Sequence, residues 1–331
     1  MDEQVKDPTT IDEQIHILSE RGMQVDADLA RQWLRSVSYY RLSGYWYPYR
    51  EQLESAPRMP VRADTFVLGS TFTEVAGLYE FDRKLRTLVH DGIERIEIAL
   101  RTRVGEWIVA RGPLAYEAKD LFRPDFDHKS WLTTARRRLK RAEGNNAAIR
   151  HYSEKYEGYP FWVLAETLDF ADISKLYAGL PINAQHEISR SFGFVIDPLR
   201  LKGKHRKNYY SRDPLARWCE QLTVVRNVYA HHGRLFNRNL LPASTVAFRT
   251  IDGLESLPEG QSDKLFGALL VMAFMLNSIS PGTSWTAKVS GLVQDEYAQL
   301  HLRSVTEMGF PHEWAGSFSQ LRINRHKQCP Q

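Results

Sequence analysis

Residues 213–238 read DPLARWCEQLTVVRNVYAHHGRLFNR. The first half is a helix by its punctuation and its period. Asp213 can cap with its carboxylate, and Pro214 falls in the first turn, where its missing N–H costs nothing. Leu215, Trp218, Cys219, Leu222 and Val225 then share one face. The second half changes character. Arg226–Arg238 holds two adjacent histidines, three arginines and two asparagines. At about 3.6 residues per turn, Arg226 lies near the apolar face and Asn227 points away from it. Asn227 and His231 are four apart and can be neighbours on a helix. Arg226 and His231 are five apart, about 140° around an ideal helix. They converge only if the helix ends or distorts at the histidines, or if a partner subunit completes the site. Gly233 is the expected stop.

Helical periodicity continues outward in both directions. Thr10 and Glu13 have the spacing of a capping box, with Ile11, Ile15 and Leu18 on one face and Gly22 as a stop. A second helix is expected over about residues 26–37. Ser38–Arg50, SYYRLSGYWYPYR, carries Gly44 and Pro48 and predicts an irregular, aromatic-packed turn. A long helix follows over about Thr73–Ala110, with Leu78, Phe81, Leu85, Leu88, Ile96, Leu100, Val104 and Trp107 as its stripe. Its other face carries arginines and glutamates; it is either solvated, with ion pairs at helical spacing, or a groove lining. Further helices are expected from Pro160, at about residues 262–278 and at about 285–300. The run LFGALLVMAFML, Leu265–Leu276, is twelve residues long, short of the roughly 20 that span a bilayer, and reads as a core helix.

Bulk composition excludes several classes. The 331 residues are 43% hydrophobic and 25% charged, enough for a sizeable core, and the net charge of +4 does not by itself mark a nucleic-acid binder. Cys219 and Cys329 are too far apart and too few for a disulfide framework or a zinc site, which fits a reducing, cytoplasmic setting. The start, MDEQVKDPTT, lacks the pattern of a signal peptide. Phosphate loops, paired carboxylates and metal constellations are missing from the pattern, so no cofactor or metal is expected.

An arginine followed by a histidine after a few residues is weak evidence here. Arg83/His90, Arg123/His128 and Arg200/His205 repeat it. Only Arg226 is followed by Asn, stands on a well-formed helix and has a second histidine beside the first.

RNVYAHHGRLFNR resembles the signature of the Abi-like family, the AbiD/AbiF-type abortive-infection proteins of the HEPN superfamily. EQIHILSERGMQVD, YYRLSGYWYPYR, LYEFDRKLRTLV, IERIEIALRTRV, PFWVLAETLDFADISKLY and EMGFPHEW resemble family blocks in the same order, from about residue 13 to 314. The resemblance implies an all-α, HEPN-type helical bundle with additional N-terminal and C-terminal helices. We divide it as an N-terminal helical and aromatic region (1–70), a bundle (71–300) and a C-terminal segment packing on it (301–331). The resemblance also implies a metal-independent endoribonuclease toxin of a phage-defence or toxin–antitoxin system, with Arg226, Asn227 and His231 in the catalytic motif. His232 is a second candidate, supporting or structural. HEPN ribonucleases build the site from two copies of the motif. One convincing copy here implies a homodimer or another partner. Some relatives are held in check by a small structured RNA.

The residue types suit that chemistry. Histidine titrates near neutral pH and can move a proton, while arginine stays charged and can brace a phosphorane. For RNA contact the candidates are Lys202, Lys204, Arg206, Lys207, Tyr209 and Tyr210, in a stretch of six Lys/Arg and no acid expected to be a loop. Arg234, Asn237 and Arg238 either bind phosphates or pair with carboxylates. Arg136–Arg141 is a second basic patch, and the Tyr39–Tyr49 cluster either packs or stacks bases. The alternative to an enzyme is an RNA-binding, regulatory HEPN protein without chemistry of its own.

Overall fold

The computed structural model describes residues 7–54, 61–316 and 318. The fold is all-α, with only two small antiparallel β-pairs. The chain forms two compact units, Met1–Arg86 with Gly291–Glu307, and Thr87–Ser290 with Met308–Gln331. The first crossing between them falls inside a single long helix, where no turn residue marks a break.

The first unit begins with α1 (Ile11–Glu20), closed by the expected Thr10/Glu13 capping box, and α2 (Ala27–Val37), capped by Asp26. The stretch expected to be an irregular turn is instead a helix, α3 (Tyr39–Trp46), followed by a 3₁₀ turn at Tyr47–Tyr49. Ser38 makes this possible. It takes a left-handed φ of 73°, ends α2, and accepts from the Arg41 N–H with its hydroxyl. Pro48 stands beyond the helix and does not break it. A hairpin of β1 (Arg50–Glu54) and β2 (Val61–Phe66) follows, with Arg50 opposite Phe66.

Then comes α4 (Phe72–Val109), 38 residues long, whose first turns belong to this unit. The aromatic cluster is mostly core. Tyr45, Trp46 and Tyr49 are buried, and Tyr45 donates to the Asp82 carboxylate while Arg86 donates to both. Tyr40 alone among them is almost fully exposed.

The second unit comprises the rest of α4, α5 (His128–Glu143), α6 (Ala147–Lys155), α7 (Phe161–Ala165), α8 (Phe170–Gly179), α9 (Ile182–Ser191), α10 (Gly203–Ser211), α11 (Pro214–Ala230), the pair β3 (Ala243–Ser244) and β4 (Gln261–Ser262), α12 (Leu265–Ile279) and α13 (Trp285–Gly291). The helix expected from Pro160 is two, α7 and α8, because Asp169 starts α8 with its own capping box. A central helix is apolar all round, and α12 is that helix here, buried along Leu265–Met272.

Helix α11 packs chiefly on α8, and also on β3 and α12. The Gln221 amide donates to the carbonyls of Leu241 and Ser262, which ties the β3/β4 segment to α11. Gly92 on α4 has no room for a side chain, because Met272 and Trp285 fill the space a Cβ would take. Phe310 and Phe318 meet the Phe266 ring, and Trp314 meets both of them edge-on. Cys219 is buried, and Cys329 lies outside the described residues. Among the described residues no helix is long and apolar enough to cross a membrane.

Candidate active site

Helix α11 starts from a buried anchor. The Asp213 carboxylate accepts from the Leu215 N–H at 2.8 Å, and its own N–H donates to Gln185 Oε1 at 3.0 Å. The carboxyl is 2% exposed, and burial pushes its pKa up to about 6. His186 lies beside it, with Nε2 3.7 Å from Oδ2.

At the other end, about 25 Å away for seventeen residues, the helix stops at Ala230, so it does end at the histidines. His231 is the C-cap residue, at φ −97° and ψ 20°. The His232 N–H donates to Tyr229 O at 2.9 Å and the Gly233 N–H to Val228 O at 2.7 Å. These two bonds, six-to-one and five-to-two, form a Schellman end. The left-handed residue it requires is His232, at φ 54°, and not the expected Gly233. Gly233 serves one position later. A Cβ there would stand 3.0 Å from the Val228 carbonyl oxygen, so the close return of the chain needs glycine. Leu235 and Phe236 are fully buried just beyond and pin the turn.

Asn227, His231 and His232 are exposed, and Arg226 is half-buried. Across from Arg226 runs one stripe of α4, namely His90, Glu94, Glu97 and Arg101, spaced at helical intervals. Glu97 and Arg101 form a mostly buried ion pair at 2.8 Å, and Arg101 also donates to the Leu168 carbonyl at 3.0 Å. Burial lifts the Glu97 carboxyl above its ordinary value, while Arg101 and Arg226 pull it back down. Tyr229 is pushed up to about 12, mainly by burial, with Glu97 and Glu94 adding to it and Arg226 opposing. The His90 ring meets Tyr229 edge-on at 5.1 Å. In the sequence His90 stands as half of one of the recurring Arg–His pairs, and Glu94 and Glu97 lie on a face that is either solvated or a groove lining. The available signal was their common helical period.

The basic stretch upstream is arranged differently from expectation. It is not a loop: Gly203–Ser211 forms α10. Lys202, Lys204, Arg206, Lys207 and Tyr210 are exposed. Tyr209 is not available to a base, because it is 5% exposed and stacks on His186 at 4.2 Å and 14°. Tyr209 and Tyr210 also adjoin the start of α11, a helix length from His231. Of the downstream trio, Arg238 is exposed, while Arg234 and Asn237 are partly covered and Asn237 is left-handed at φ 47°. In the second patch Arg138 is consumed internally by Asp169 and Asp172, and Arg136 reaches Glu117 at 3.2 Å. Several arginines of the α4 face likewise close helical-spacing pairs, such as Arg83 with Glu80 and Arg95 with Asp91.

The family described as Abi-like protein matches residues 32–237, well over half of the chain. The chain belongs to the Abi-like family. The match includes α11 and its Schellman end, and so Arg226, Asn227, His231 and His232 of this Abi-like chain. Arg238 falls one residue beyond it, and the blocks at residues 13–26 and 307–314 lie wholly outside it. No curated protein and no solved structure matches the chain.

Proposed function

We propose that this Abi-like protein is a metal-independent endoribonuclease acting in abortive infection, with the end of α11 as its catalytic element. The observation that carries the reading is the helix end itself. It presents two exposed imidazoles and an asparagine within two turns of an arginine held opposite a half-buried carboxylate. The resemblance of RNVYAHH to the HEPN ribonuclease motif supplies the reaction class.

His231 takes the proton of a ribose 2′-hydroxyl, the 2′-oxygen attacks the adjacent phosphorus as the bond to the 5′-oxygen breaks, the 5′-oxygen leaves with a proton from water, and the His231 imidazolium returns its proton to the hydroxide so formed. The products are a 2′,3′-cyclic phosphate and a 5′-hydroxyl. Arg226 stabilises the negative charge that grows on the phosphorane. Asn227, one turn before His231, orients it, and His232 fixes the backbone on which it stands. The HEPN-type bundle, the homodimer that would bring two motifs together, and a small structured RNA as inhibitor all belong to this proposal.

Labelled RNA incubated with the protein in EDTA tests it. We expect cleavage leaving cyclic-phosphate ends, reduced about 10²- to 10⁴-fold by His231→Ala or Arg226→Ala with melting temperature unchanged. Uncut RNA would remove the enzyme. A non-catalytic RNA-binding protein, favoured by the exposed cations of α10, would then be the reading that stands.

A further inference from the structure

Helix α6 and the start of α7 carry an aromatic surface that the proposed reaction does not use. Trp162 is 50% exposed and Tyr156 57% exposed. The Trp162 indole N–H donates to the Tyr152 hydroxyl at 3.4 Å. Tyr152 and Tyr156 lie 5.0 Å apart by ring centroid, and His151 sits 6.0 Å from each of them. Four rings that could pack in a core are thus gathered in one patch and left at the surface. A solvated surface has no physical reason to collect them. Each also has a polar edge, which suits a ring that stacks on one face and stays wet on the other.

The patch opens onto a groove of about 330 Å³ lined by Trp162, Phe161, Val109, Gly105, Arg101 and Glu106. That is at the lower end of the roughly 300–1,000 Å³ of small-ligand sites, and is suited to one planar ring. Gly105 shapes it, since a Cβ would stand 3.2 Å from the Phe161 ring. The polar rim combines a guanidinium with carboxylates, Glu106 and Glu166. Carboxylates repel phosphate but accept from the amino edge of a base. Arg101 is the residue that braces Glu97 opposite Arg226. From Gly105 to Glu97 the same face of α4 runs about 12 Å, so the groove leads toward the proposed catalytic residues.

We infer that the His151–Tyr152–Tyr156–Trp162 surface and the groove beside it are a stacking platform for unpaired RNA bases on their way to Arg226 and His231. Single strands expose the base faces that aromatic rings bind, whereas a duplex hides them. The platform offers faces rather than charge, because Arg150 and Lys155 on α6 are offset by Glu154 and Glu157. Its contribution to binding is therefore insensitive to salt, unlike that of α10.

The inference rests on the ribonuclease reading only in taking RNA as the ligand, and its test does not require turnover. Full-length protein carrying His231→Ala is titrated with a fluorescein-labelled uridine 12-mer, alone and annealed to its complement, and read by anisotropy. We expect the single strand to bind more tightly. Trp162→Ala and Tyr156→Ala should each weaken it by roughly 5- to 100-fold with an unchanged slope of log affinity against log salt. Trp162→Phe should largely restore it. Circular dichroism melts confirm folding of each variant. Unchanged affinity in both alanine variants overturns the inference, as does equal loss on duplex. A change in oligomeric mass with RNA binding intact also overturns it and makes the patch a protein interface. Platform-dependent binding alongside a wild-type protein that cuts nothing would keep the platform and remove the ribonuclease.

Discussion

His232 holds φ at 54°, a region that costs an L-residue about 1–2 kcal/mol unless glycine occupies it. The Schellman end of α11 requires one residue there, and a histidine is spent where glycine would be free of strain. Strain of this kind, next to an exposed histidine at the helix cap, concentrates at functional sites. On the proposed reading the two histidines have separable roles. His232→Gly should leave the melting temperature unchanged or raised, and His232→Val should lose about 1–2 kcal/mol in urea melts, because a β-branched residue tolerates this φ worst. If His232 acts only by shaping the turn, His232→Gly retains most RNA cleavage while His231→Ala loses it. Loss of cleavage in a fully stable His232→Gly protein would exchange the two assignments.

The α11 helix is anchored at its start by a carboxyl that burial makes reluctant to ionise. Unfolded, Asp213 titrates near about 3.9; folded, burial lifts it to about 6. Between those values the folded chain keeps a proton that the unfolded chain has released. Asp213's contribution is thus fully present below about pH 4 and is lost as pH rises through about 6. His186, whose own pKa burial lowers, and Tyr177, Ser189 and Arg190 face the same carboxyl. Asp213→Asn keeps a capping oxygen and cannot ionise. Its urea midpoint should fall less between pH 4 and 6 than that of the parent, and parallel profiles would refute this. Elements of this kind were legible wherever the signal is local: the Thr10/Glu13 box, Asp213–Pro214 and the period of α4 are all written within one or two turns. Helices α3, α9 and α10 were not. Helix α3 depends on a left-handed Ser38 that no propensity announces, and α10 is polar on most faces and held by the stacking of Tyr209 on His186. The motif residues were visible in sequence. Their surroundings were not, because Glu97, Arg101 and His90 come from a helix more than a hundred residues away.

At the scale of the molecule, 44 Lys and Arg against 40 Asp and Glu give little net field, so what matters is which cations remain after internal pairing. Arg138, Arg101 and Arg86 are held by carboxylates, and Arg103 lies over the Phe192 ring at 3.6 Å. Among the described residues Lys202, Lys204, Arg206 and Lys207 close no ion pair, and all four are exposed on or beside α10. This is a concentrated charge on a small helix rather than a diffuse basic surface. Neutral aromatic faces and a cationic helix act on a nucleic acid by different physics, and salt separates them. Each phosphate contact on a single strand adds about 0.7 to the slope of log affinity against log salt. Lys204→Gln, Arg206→Gln and Lys207→Gln together should lower that slope by about 2 and weaken RNA of any sequence alike, since phosphate contacts carry no base information. Measured on the same uridine strand, the triple variant and Trp162→Ala should then differ in kind: one loses slope, the other loses affinity at constant slope. If the triple variant keeps the parent's slope, α10 is a solvated helix, and RNA reaches the α11 motif without it.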